Sequence, residues 1–228
     1  MRFASRVLSA GAVLALLSSC GTSPPDPAQL LRLAKQSVDS APSLHFMLTS
    51  ANVSGTGTLI SGGEGVAKRP DGFAGKLTVS LGGFTVNVDV VSIGGVFYAR
   101  TPLGSGGFDR TDPSKYGFGD PGKFLDPNNG LSSLLSVCAS PSNRDGDRLN
   151  GEQLDEVACA MPGARVASLL TSADPSQPVQ ATVGVDSSSH QLRRVVMVGP
   201  FFDKVHPSTF TVILDNYGQN VSITPPAG

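Results

Sequence analysis

Gly75-Lys76-Leu77-Thr78-Val79-Ser80-Leu81-Gly82-Gly83-Phe84-Thr85-Val86-Asn87-Val88-Asp89-Val90 alternates between apolar and polar residues on both sides of a glycine pair. In an extended chain successive side chains point to opposite faces, so Leu77, Val79 and Leu81 share one face while Lys76, Thr78 and Ser80 share the other. Beyond Gly82-Gly83 the alternation resumes, with Val86, Val88 and Val90 against Thr85, Asn87 and Asp89. The stretch predicts two half-buried antiparallel strands joined by a tight turn. Ile93 to Ala99, broken at Gly94-Gly95, adds a third.

The same texture extends in both directions. Upstream, His45 to Ser50 alternates loosely, and Gly55 to Ile60 predicts a strand ending at a turn over Ser61-Gly62-Gly63. Downstream, strands are expected at Val157 to Met161, Val179 to Val185, Leu192 to Val198, Thr209 to Leu214 and Val221 to Thr224, with hairpin turns at Asp145-Gly146 and Asn150-Gly151. Helical spacing occurs in three places. Leu30, Leu31, Ala34 and Val38 form a stripe behind Asp26 as N-cap and Pro27 as first helical residue. Leu131 to Val137 predicts a short helix, and Ala164 to Thr171 repeats the spacing. Pro102 to Gly130 has no period; it holds Gly104-Ser105-Gly106-Gly107 and three Asp-Pro pairs, at Asp112, Asp120 and Asp126. A loop of that length is either a lid or a plain surface loop. Two or three helices against a many-stranded meander make an α+β domain.

The N-terminus has a different character. Met1 to Arg6 is basic, Val7 to Leu17 is apolar, and Leu17-Ser18-Ser19-Cys20-Gly21 follows. This is the layout of a secretory signal, and its apolar core is about half the ~20 residues that a spanning helix needs. The cysteine after Leu-Ser-Ser resembles a bacterial lipobox, which implies cleavage before Cys20 and a diacylglyceryl group on its thiol; an ordinary signal with a chance cysteine is the alternative. The expected division is 1-19 signal peptide, 20-27 lipidated tether and 28-228 folded domain. The expected location is extracytoplasmic, on the plasma membrane or cell envelope.

Charged residues make up 15% of the chain and the formal net charge is −1, so no basic field exists to hold a phosphate backbone, and nucleic acid is excluded as a partner. There is no Trp, so core and cavity are expected to be lined largely by aliphatic residues. Besides Cys20 there are two cysteines, Cys138 and Cys159. Outside the cytosol they would form a bridge, worth about 3 kcal/mol for a loop of this size; two free buried thiols are the alternative.

No enzyme is expected. Gly130-Leu131-Ser132-Ser133-Leu134 lacks the second glycine of a nucleophile elbow, and His45, His190 and His206 stand in unrelated contexts. Asp145 to Glu152 approximates a calcium loop, but its glycine is out of register. Neither a cofactor nor a metal site is predicted.

Several phrases in order resemble the mycobacterial LppX, LprA, LprF and LprG lipoprotein family. They are Gly75 to Val79, Ile93 to Tyr98, Leu125-Asp126-Pro127-Asn128-Asn129-Gly130-Leu131, Asn150-Gly151, Pro178 to Val183 and Tyr217-Gly218-Gln219-Asn220-Val221. The set spans nearly all of the chain after Cys20. The sequence departs from the family at Phe108, Gly184 and Tyr217, where relatives often carry tryptophan. The resemblance implies a curved antiparallel half-barrel sheet wrapped around helices and enclosing an apolar cavity. It further implies that the cavity receives acylated envelope lipid, whether glycolipid, lipoglycan or triacylglycerol, and that a membrane lipid exporter is a partner. Leu77, Val79, Leu81, Val86, Val88 and Val90 are the expected concave wall, with Phe210, Val212 and Leu214 opposite. The competing functional expectation is an extracytoplasmic interaction module, or an exporter's accessory, with no lipid cargo.

Overall fold

The computed structural model describes residues 25–226 apart from 54–57, 82–83, 103 and 105. Cys20, the signal and the turn glycines Gly82 and Gly83 lie outside the described residues, as does the side chain of Leu81.

The chain opens with helix α1, Pro27–Ser40, started as expected by Asp26, whose carboxylate accepts the Ala28 N–H at 3.0 Å. Leu30, Leu31, Ala34 and Val38 are its buried stripe. Five strands follow: β1 (Ser43–Ala51), β2 (Thr58–Lys68), β3 (Gly72–Leu81), β4 (Phe84–Ile93) and β5 (Val96–Arg100). A two-residue strand β6 (Asp109–Arg110) leads into three 3-10 segments, Pro113–Tyr116, Pro121–Lys123 and Leu131–Val137. Then come β7 (Ala139–Leu149), β8 (Glu152–Met161), the short helix α2 (Gly163–Ala167), β9 (Val179–Asp186), β10 (Leu192–Gly199) and β11 (Ser208–Asp215).

All eleven strands form one antiparallel sheet in the order β6-β5-β4-β3-β2-β1-β11-β10-β9-β8-β7. The two ends of the order do not pair, so the sheet curls without closing. Cross-strand partners Gly65 and Gly75 fix one bend: a Cβ on Gly65 would sit 2.4 Å from the Ala74 carbonyl oxygen, so the two backbones approach where no side chain fits. The alternation read in the sequence fixes the register, with Leu77 opposite Val88 and Val79 opposite Val86.

Three expectations are corrected. Ser61-Gly62-Gly63 is not a turn; β2 runs through it, with Ser61 the extra residue at an irregularity and Gly62 and Gly63 paired to Thr78 and Leu77. Asp145-Gly146 lies inside β7 at a second irregularity, whereas Asn150-Gly151 is the hairpin turn, at φ of 51° and 90°. The short helix expected at Leu131–Val137 is present, as a 3-10 helix. Val221 to Thr224 is no strand. Both neighbours of β11 are already taken by β1 and β10, so the tail crosses the sheet end instead. Tyr217 donates its hydroxyl to the Leu192 carbonyl at 2.6 Å, Gly218 N–H donates to Ser43, and Lys68 Nζ donates to the Val221 carbonyl. Burial pushes the Tyr217 phenol well above its ordinary range, which keeps it the donor.

Cys138 and Cys159 are bonded, with Cα atoms 5.4 Å apart and a sequence separation of 21. The bridge ties the end of the last 3-10 segment to β8. Replacing both cysteines with alanine should lower unfolding free energy by about 3 kcal/mol, measured by denaturant titration. An unchanged midpoint would mean that the bridge constrains nothing.

Candidate functional site

The concave face of the sheet is covered by α1, by α2 with the turn after it, and by the long segment from β6 to β7. Between cover and sheet lies a cavity of about 100 Å³. Its floor is Phe46 and Leu48 from β1, Ile60 from β2, Phe73 and Leu77 from β3, Met197 from β10 and Val212 from β11. Its roof is Leu131 and Leu134 from the third 3-10 segment, Val166, Leu169 and Leu170 around α2, and Phe118 to Pro121 with Phe124. Asp120 is the one ionisable residue of this lining.

The roof segment is ordered by a repeated local device. In each of Asp112-Pro113, Asp120-Pro121 and Asp126-Pro127 the aspartate Oδ1 accepts the backbone N–H two residues on, at 2.9, 2.9 and 2.8 Å. Proline presets the φ of the following turn while the carboxylate takes its free donor. These hydrogen bonds, from Ser114 and Asn128 respectively, hold the Asp112 and Asp126 carboxyls below the usual carboxylate range. Asp120 also accepts from the buried Ser92 hydroxyl at 3.0 Å, which pins the segment to β4. Thus, within the stretch Pro102 to Gly130, Phe118 to Pro121 and Phe124 roof the cavity.

Aromatic contacts complete the roof. Phe124 lies 5.3 Å from Phe46, which in turn stacks on Phe73 at 5.0 Å. Phe97 of β5 meets Phe118 edge-on at 5.7 Å, with Tyr116 stacked beside Phe118. Burial, then the Asp109 charge, push the Tyr116 phenol up. Phe118 to Phe124 and the turn after α2 meet at one main-chain hydrogen bond, from Gly119 N–H to the Leu169 carbonyl at 2.9 Å. A Cβ on Gly119 would lie 2.5 Å from the Ser168 carbonyl oxygen, so only glycine permits so close a lip. Gly119, Asp120, Phe124, Leu169 and Leu170 are partly exposed, and they mark the mouth.

Of the nine wall residues expected, the structure brings Leu77 and Val212 to the cavity. Val79, Val88, Val90, Phe210 and Leu214 are buried in the same core but outside that lining, and Val86 packs against it. Phe210, for example, is filled against by Phe201 at 4.7 Å. β3 and β11 lie in the same curled sheet, with β2 and β1 between them. The lining is largely aliphatic as expected, and Phe46, Phe73, Phe118 and Phe124 add four rings to it. Strand alternation could have placed Phe46 and Phe73 on the inner face, but it says nothing of what covers that face.

The polar residues weighed for chemistry stay apart. His45 pairs with Asp215 at 2.7 Å across β1 and β11, His206 pairs with Asp203 at 2.8 Å, and His190 sits in the β9–β10 turn at φ 57°. Among the described residues no cluster of His, Cys, Asp or Glu could hold a metal, and no helix is long and apolar enough to cross a membrane.

Comparison with known proteins agrees with this architecture. The crystal structure of LprF from Mycobacterium bovis superposes with a TM-score of 0.70 at 17% identity, covering 90% of this chain and all of that one. That of the Mycobacterium tuberculosis lipoprotein LppX gives 0.63 at 14% identity, over 89% of this chain. In sequence, the chain is 25% identical over 204 residues to the lipoarabinomannan carrier protein LprG of Mycobacterium tuberculosis strain H37Rv, covering 89% of this chain and 83% of that protein. The profile of the LppX_LprAFG lipoproteins matches residues 26–223, most of the chain, and the chain therefore belongs to that lipoprotein family.

Proposed function

We propose that the protein is an extracytoplasmic lipoprotein that takes acyl chains of an envelope glycolipid, lipoglycan or triacylglycerol into the cavity and carries or presents them between envelope layers. One observation carries this reading: the cavity lining is apolar apart from Asp120 at its lip. Such a lining rewards acyl chains by about 0.8 kcal/mol per buried methylene and asks for no catalytic group. The carrier name of the LprG relatives supports it.

In this reading residues 1-19 are removed, Cys20 carries the diacylglyceryl group, and 20-27 tether the domain 28-228 to the membrane surface. Two acyl chains on Cys20 hold firmly where one holds marginally. Delivery calls for a membrane exporter or an acceptor at either end of the route. At about 100 Å³ the cavity is well below the ~300–1,000 Å³ of ligand sites, so loading requires the roof to swing outward. The Gly119–Leu169 contact is the lip that parts, since a single hydrogen bond joins its two sides there.

The decisive experiment is mass spectrometry of organic extracts from protein made without its acyl anchor. Co-purifying glycolipid or acylglycerol supports the carrier; empty protein would favour an interaction module without cargo. Leu77→Trp should cut lipid loading several-fold while changing stability by less than about 1 kcal/mol, because the cavity accepts the added volume. Severe unfolding with unchanged loading would show a packed core instead. Gly119→Val should force the lips apart and speed uptake of a fluorescent fatty acid in stopped flow. Unaltered uptake would place the entrance elsewhere.

A further inference from the structure

The strands of this sheet alternate in direction, so one end of it gathers the β3–β4 hairpin, the end of β10 and the start of β11: Leu81 opposes Phe84, Ala51 opposes Thr209, and Gly199 opposes Ser208. Four large apolar side chains are markedly exposed among the described residues, and three sit at this end: Phe84 at 77%, Val205 at 77% and Val198 at 38%. The fourth, Met47, alternates with the cavity-lining Phe46 and Leu48 and so lies on the opposite, convex face. A lone exposed apolar residue needs no explanation. The loop between β10 and β11 is more telling, because it buries Phe201 against Phe210 and yet turns Val205 outward between Lys204 and His206.

Four inter-strand steps separate β4 from β11, which puts the two tips about 19 Å apart. Two separate tips offer a protein partner nothing like the roughly 800 Å² a side that a stable interface needs. A bilayer takes each tip independently.

The reach of the chain N-terminal to α1 selects the same end. The Pro25 carbonyl accepts from Asn143 Nδ2 at 2.8 Å on β7. Asn143 is four residues from Ala139, or about 13 Å from the rim end of that strand, and six from Leu149, or about 20 Å from the other. Cys20 precedes Pro25 by five residues, a reach of at most about 17 Å. A lipid on Cys20 reaches the Phe84–Val205 end with chain to spare, whereas the opposite end lies at the limit of its reach along the strand axis.

We propose that this rim is a membrane-contact edge, with Phe84 and Val205 entering the interfacial layer of a lipid bilayer. The orientation rests on the lipid anchor inferred above; the contact itself does not.

The test uses the Cys20–Gly228 chain carrying Cys20→Ser, so that no acyl group mediates binding. The sequence has no tryptophan, so Phe84→Trp, Val205→Trp and Met47→Trp are each a single reporter. With mixed phosphatidylcholine and phosphatidylglycerol vesicles, the first two should shift their emission to the blue and be quenched by lipids brominated on the acyl chains, while Met47→Trp should not. Phe84→Ser with Val205→Ser should weaken vesicle co-sedimentation about tenfold or more, with its circular dichroism unchanged. Water-like emission from both rim reporters at saturating vesicles would overturn the proposal. So would a blue shift that grows with protein concentration before vesicles are added, which would assign the rim to a second copy. Extracted lipid, measured on the same preparations, judges the cavity separately: an empty cavity with shifted rim reporters would sink the carrier and keep the edge.

Discussion

An open sheet with one apolar face cannot be stable alone, and everything else in this protein answers that constraint. Closure would have satisfied both ends of the strand order, but β6 and β7 remain unpaired with one another. The inner side chains of eleven strands must therefore be covered by chain from elsewhere. Helix α1 covers one part with Leu30, Leu31, Ala34 and Val38, each large side chain worth about 2 kcal/mol when withdrawn from water. The remainder falls to α2 with the turn after it and to the segment between β6 and β7, a cover built largely from turns. Turns pack less completely than helices, and the cavity is what their imperfect fit leaves behind.

The edges left by an open sheet invite unwanted pairing. Here β6 is two residues long, and β7 is polar, charged and twice irregular along its length. Arg194 reinforces that side by pairing with both Asp147 of β7 and Glu156 of β8. One sheet thus keeps a concave apolar face for internal use and two edges unsuited to recruiting another strand. The exposed apolar tips at its rim stand outside both arrangements.

What could be read from the sequence follows the range of the forces involved. Period-two alternation around Gly82-Gly83 and the Asp26-Pro27 start of α1 are local signals, and the structure follows them. Family resemblance supplied the half-barrel and its cavity, which alternation alone could not. The roof was opaque because its order comes from three Asp-Pro turns rather than any period, although those pairs stood in plain view. Val221 to Thr224 failed for a topological reason, since both flanks of β11 were already occupied. The cavity wall is hard to read for a similar reason: Val88 and Phe210 carry the same local pattern as Leu77 and Val212, and only the cover above them decides which face the cavity.

The central claim is that acyl chains lie between the sheet and its turn-built roof. A phospholipid or glycolipid bearing a diazirine along its acyl chain, loaded into the unlipidated protein and photolysed, reports contact residue by residue after proteolysis and mass spectrometry. The account predicts adducts on peptides holding Phe46, Leu77, Phe124 and Leu169. Adducts confined to the convex face around Met47, or spread evenly over the surface, would contradict it.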